Sequence, residues 1–135
     1  MRKNTFRKIS AITLVVCMLF AVCGVAFAQS RMITTTTSAF VRDSRTKGTA
    51  TLTAMTSNVD NPNISSTMIL QEAPLGSTNY VDSDVDPAVK TSTRATITHV
   101  VTFDITTTKE YRVKMIIRDI VDGTTYTSII YEELE

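Results

Sequence analysis

Between residues 33 and 132 the chain repeats apolar and polar side chains with a period of two. Ala50, Leu52 and Ala54 alternate with Thr49, Thr51, Thr53 and Met55. Ile64, Met68 and Leu70 share one parity, with Ser65, Thr67 and Gln71 on the other. Ala95, Ile97, His99, Val101, Phe103 and Ile105 stand against Thr96, Thr98, Thr102 and Asp104. Tyr111, Val113, Met115 and Ile117 alternate with Arg112, Lys114 and Arg118, and Tyr126, Ser128 and Ile130 with Thr125, Thr127 and Ile129. Successive side chains of a strand point to opposite faces, so each run predicts a strand with one buried face. No window beyond residue 28 repeats with the period of a helix.

Punctuation between the runs sets the strand limits. Asp122-Gly123 is a tight-hairpin signal, because a type I′ turn needs two positive φ angles. Asn58 to Asn63, with Pro62, and Pro74 to Asn79, with Gly76, are turn-rich loops. Asp82 to Thr93 reads as a long polar connection holding Pro87, and Asp43 to Gly48 links the first two strands. Strands are expected near 33–42, 48–57, 64–72, 79–82, 94–105, 110–119 and 124–132. Seven short strands predict an all-β fold: a single antiparallel immunoglobulin-like β-sandwich over residues 29–135. Tyr111, two residues before Val113 at the head of the sixth strand, reads either as a core aromatic at a strand start or as a tyrosine corner. As a corner, its hydroxyl would bond back to the preceding backbone, with Val113 where such domains carry a disulfide Cys.

The N-terminus reads as a leader. Arg2, Lys3, Arg7 and Lys8 precede an apolar run that closes on Ala26-Phe27-Ala28. A basic segment, an apolar core and a small-x-small exit describe a secretory signal peptide over residues 1–28, cleaved before Gln29. Residues 11–28 are at the short limit for a spanning anchor and contain Gly24. Lipoprotein processing at Cys23 is disfavoured by Val22, which stands where a small residue is wanted. Cleavage removes both cysteines, Cys17 and Cys23, and leaves a secreted, extracellular domain with no thiol and no membrane span.

Residues 29–135 hold 10 basic and 13 acidic residues, a net charge of −3, which argues against a nucleic-acid partner. They also hold 22 Thr against three Pro. Thr is β-branched and polar, so it suits the solvent face of a strand, whereas glycosylated stalks carry dense Pro.

Three segments carry a family resemblance. They are Thr34-Thr35-Thr36-Thr37-Ser38-Ala39, the run Ile64-Ser65-Ser66-Thr67-Met68-Ile69-Leu70-Gln71, and Tyr111-Arg112-Val113-Lys114 ahead of the hairpin glycine Gly123. In these the chain resembles small secreted proteins of Gram-positive bacteria built as one immunoglobulin- or fibronectin-like β-sandwich. The resemblance implies that fold and brings no activity with it. Where the group often has a Trp after the L-Q strand, the nearest aromatic here is Tyr80.

Candidate chemistry is sparse, and no catalytic set is expected. Nucleophilic catalysis wants a base beside Ser or Cys. The one His, His99, sits mid-strand on the buried parity, as a packed residue would. Asp82, Asp84 and Asp86 resemble the start of a calcium loop, but Pro87, Lys90 and Thr93 stand where such a loop needs Gly, a water-linked ligand and Glu. They are the weak calcium candidate, no other cofactor being expected. Tyr80, Tyr126 and Tyr131 are candidate ligand-binding rings for a sugar. Arg112, Lys114 and Arg118 form a basic stripe open to an acidic polymer or to cross-strand acids. The expected function is non-enzymatic: extracellular protein–protein or self-association contacts, with the final strand as an edge for strand addition. The alternative is a module for carbohydrate or cell-wall polymer.

Overall fold

Eight strands form in the computed structural model, which describes residues 32–135. The expected signal peptide, with Cys17 and Cys23, lies outside the described residues. The strands are β1 (Ile33–Arg42), β2 (Lys47–Thr56), β3 (Ile64–Pro74), β4 (Val81–Asp82), β5 (Ala88–Ser92), β6 (Thr96–Asp104), β7 (Lys109–Val121) and β8 (Thr124–Glu133). They pair antiparallel in two sheets. One has the order β1-β2-β6; the other runs β4-β3-β7-β8, with β5 on the same side of β3 as β4.

The alternating parities decide how the sheets pack. The buried parity of β2 supplies Ala50, Leu52 and Ala54, and that of β6 supplies Ile97 and Phe103. Against them the second sheet sets Ile64, Met68 and Leu70 from β3 and Tyr111, Val113, Met115 and Ile117 from β7. The result is a β-sandwich with one core between its layers. Phe40 and Phe103 meet edge to face, centroids 6.2 Å apart, at the end of the core where β2 is smallest. Gly48 makes room there: a Cβ would stand 3.0 Å from the Phe40 ring and 3.2 Å from Ile105.

Among the described residues, three side chain–side chain hydrogen bonds cross between the layers. His99 of β6 and Ser66 of β3, both buried, are joined by a 3.0 Å hydrogen bond at His99 Nδ1. The Thr56 hydroxyl of β2 donates to Asp119 of β7, whose other carboxyl oxygen accepts the Asn63 N–H at 3.4 Å. The Ser38 hydroxyl of β1 donates to Glu132 of β8 at 2.5 Å. A buried polar group without a partner is costly, and each buried side chain here has one.

Local signals fall where the residues put them. Asp122 and Gly123 have φ of 50° and 78°, the pair of positive angles that the β7–β8 hairpin requires. The buried Tyr111 ring carries its hydroxyl 3.2 Å from the Thr106 N–H, which donates to it. β5 forms within the stretch that the sequence reads as a polar connection, and β4 is two residues long rather than four. Both lie at the sheet margin and pair only with β3. Val89, Lys90 and Thr91 are all exposed, so no buried parity marks them.

The four sheet edges differ. β1 has a bulge between Thr35 and Thr37, and its far end is closed by Glu135, which bonds Phe40 C=O and Arg42 N–H. β6 is covered by β5 side chains, Lys90 Nζ donating to Thr98 C=O at 2.6 Å and Ser92 Oγ to Thr96 C=O at 3.3 Å. The β4/β5 edge is broken by residues 83–87, which include Pro87. β8 carries no bulge, no Pro and no Lys, and from 124 to 131 pairs only with β7 among the described residues.

Candidate functional site

The outward parity of the five-stranded sheet gathers the reactive side chains of the surface. On β7 it reads Arg112, Lys114, Ile116, Arg118. Cross-strand partners share a face, so β3 adds Gln71, Ile69, Thr67 and Ser65 opposite these, and β8 adds Glu133, Tyr131, Ile129 and Thr127. Val89 of β5, exposed, extends the apolar row Thr67–Ile116–Ile129 by one strand.

Arg112 is the centre of this face. Its guanidinium carbon lies 4.4 Å from the centroid of Tyr80 and 4.6 Å from that of Tyr131. Its Nε donates to Gln71 Oε1 at 2.7 Å, and Gln71 Nε2 donates to Asp82 at 2.7 Å. Stacking on two rings, at about 0.5–1 kcal/mol for each exposed contact, holds the cation where an isolated Arg would wander. Tyr80 reaches it because the 75–80 loop folds back. Gly76 takes a φ of 78°, Ser77 N–H bonds Pro74 C=O, and Gly76 N–H bonds Glu110. The Tyr80 hydroxyl titrates above the ordinary tyrosine range. Partial burial is the main cause, Glu133 and Glu110 add to it, and Arg112 opposes it.

The sequence candidates divide accordingly. Tyr80 and Tyr131 come together, each ring in contact with the Arg112 guanidinium. Tyr126 is on the inward parity, opposite Asp119, half-buried and away from the stack. Asp82 is engaged by Gln71, while Asp84 and Asp86 are exposed on the 83–87 break. Among the described residues no group of three or more His, Cys, Asp or Glu is placed to hold a metal ion. His99 faces the interior, bonded to a fully buried Ser66. Burial, aided by the charge of Lys90, holds the imidazole below its ordinary pKa, in the neutral form. A cleft of about 380 Å³ opens at the Pro74 end of β3, between Leu75, Val81 and Thr108, with the Lys109–Glu72 ion pair (2.7 Å) along its wall.

Arg112 was visible in the sequence only as one of three basic residues in a stripe. Gln71, its anchor, shows in the sequence only as a polar-parity residue of the L-Q segment, and nothing there marks it as a partner of Arg112. Among the described residues no helix is long and apolar enough to cross a membrane. No protein-family model, curated protein or solved structure matches the chain.

Proposed function

We propose that the chain is a secreted, non-enzymatic domain of the immunoglobulin-like type, of the kind Gram-positive bacteria release, acting through protein–protein or self-association contacts. The strand order β1-β2-β6 against β4/β5-β3-β7-β8 supports the immunoglobulin-like type. So does Tyr111, whose hydroxyl takes a backbone N–H five residues upstream, as a tyrosine corner does. The observation that carries the functional reading is the outer face of the five-stranded sheet. There Val89, Ile116, Ile129 and Tyr131 lie among three cations, beside an edge that is not blunted. Apolar surface rimmed by charge and joined to an open edge is what a protein contact surface needs. Sedimentation velocity on the protein made from the full-length chain tests this, together with chemical cross-linking on the producing cells. The expected result is a species heavier than the monomer or one discrete cross-linked partner. A monomer at every concentration with no cross-linked product overturns it.

A second reading, binding of an anionic cell-wall polymer, is favoured by the half-exposed Tyr131 ring beside Arg112 and Lys114. Co-sedimentation with isolated walls, lost in Tyr131→Ala, is its expected result; equal sedimentation of the two proteins excludes this face.

A further inference from the structure

The β8 edge has a defined hydrogen-bonding polarity. Leu134 N–H points into the sheet, to Tyr111 C=O, while Glu135 turns both its N–H and its C=O the other way, to β1. The β7–β8 register runs unbroken from Arg112↔Glu133 to Val121↔Thr124. Backbone direction alternates along a strand, so the even residues of β8 serve β7. Thr125, Thr127, Ile129 and Tyr131 therefore point their N–H and C=O groups outward, where among the described residues they meet no partner. Over 124–131 the strand has no charge, and it is bounded by Asp122 on one side and Glu132 and Glu133 on the other.

We propose that this edge takes a second copy of itself, β8 pairing antiparallel with β8 about a two-fold axis at Ile129, to give one sheet that runs through a dimer. The proposal rests on the self-association branch of the function proposed above and names its surface. Partners in a continuous sheet must share a face, so the pairing residues have equal parity, and an axis at Ile129 meets that condition. It sets Ile129 against Ile129 and Thr127 against Tyr131, all outward-directed residues, so these pairs exchange both backbone bonds. The apolar row Val89–Thr67–Ile116–Ile129 then continues into its own image and covers the half-exposed Ile129 and Tyr131. Charge allows this register: Glu132 falls opposite Tyr126 and Glu133 opposite Thr125, so no acid meets an acid. The assembly closes at two, because the other three sheet edges are blunted by a bulge and Glu135, by Lys90 and Ser92, and by the 83–87 break.

The test is sedimentation equilibrium of the protein made from the full-length chain. Wild type is expected at twice the monomer mass. Ile129→Pro removes only an outward N–H and is expected to raise the dimer dissociation constant by at least about tenfold while far-UV circular dichroism is unchanged. Ser128→Pro, which removes an N–H donated to β7, is expected to unsettle the fold instead. Ile129→Lys repeats the test without altering the backbone. In a Cys17→Ser, Cys23→Ser background, Ile129→Cys is expected to couple to itself through a short bis-maleimide, and Thr37→Cys, on the other sheet, is not. A folded monomer at all concentrations overturns the proposal. So does a dimer that survives Ile129→Lys without a 129–129 cross-link. If the monomer still forms a cross-link to a different protein, self-pairing is overturned and the interaction reading stands; with no cross-link at all, both fall.

Discussion

On the three-stranded sheet the outward parity of β2 is Thr49, Thr51 and Thr53, flanked on β6 by Thr98, Val100 and Thr102 and on β1 by Thr37, Ala39 and Val41. On the five-stranded sheet the corresponding parity of β7 is Arg112, Lys114, Ile116 and Arg118, flanked by Ile69, Ile129 and Tyr131. Inward, the two layers are alike, aliphatic with a few aromatic rings. Outward, one layer is mostly Thr, with hydroxyls paired as Thr49–Thr102 at 2.9 Å and Thr53–Thr98 at 3.2 Å, the Lys47–Asp104 ion pair at one end, and Val41, Met55 and Val100 exposed among them. The other holds three cations and the rings that stack on one of them. The inward parity therefore makes the fold, one outward face is mostly Thr, and the stacked cation and rings stand on the other.

If the layers contribute equal halves of the core, Leu52→Ala on β2 and Met115→Ala on β7, both fully buried, each cost about 3 kcal/mol in urea unfolding. A difference of more than about 2 kcal/mol between them would break the symmetry. Next, Asp119→Ala leaves the Thr56 hydroxyl and the Asn63 N–H without an acceptor and is expected to cost about 2 kcal/mol. A loss far smaller than that would mean the layers hold together without this tie.

The central tie adds a pH dependence of smaller size. Folding lowers the pKa of His99, so above the ordinary value near ~6.5 neither state takes the proton. As pH falls through that value the unfolded chain binds it first, and stability drops. His99→Gln is expected to flatten this part of the pH profile of urea unfolding; an unchanged slope would remove His99 as its cause. On the outer faces the effects are smaller again. Arg112→Ala, losing two ring contacts and the Gln71 bond, is expected to cost about 1 kcal/mol and to change tyrosine fluorescence. Thr53→Val on the opposite face should lie within about 0.5 kcal/mol of wild type. Reversal of that last order would refute the contrast between the two outer faces.

The inward parity was legible because burial is written as a period: the expected core positions from Ala50 to Ile117 are buried, except Ala95 and Val101, which are half-buried. The hairpin at Asp122-Gly123 was legible because only such a pair accepts its angles cheaply. β5 was not, since a strand bonded on one side and exposed on both faces needs no alternation. The Tyr80–Arg112–Tyr131 stack was half legible. The rings and the cation were each singled out, but Tyr80 reaches Arg112 through the fold of a loop, and the pairing of Tyr131 with Lys114 depends on a register that a single strand's pattern does not encode. The buried Asp119 was missed because an Asp on a strand looks solvent-facing until its donors, Thr56 and Asn63, arrive from distant positions.

The bonds from Glu135 to Phe40 and Arg42 have a consequence in time. They join positions more than ninety residues apart, and the first strand of the sandwich has its open side sealed only by the last. A growing chain can form the β1–β2 and β3–β7 ladders as each emerges, but the seam between β1 and the end of β8 waits until Glu135 itself has been added. Contacts of such long sequence separation place this domain among the slower folders for its size. Until the seam closes, the nascent chain exposes two unsatisfied strands, β1 and β8, instead of one.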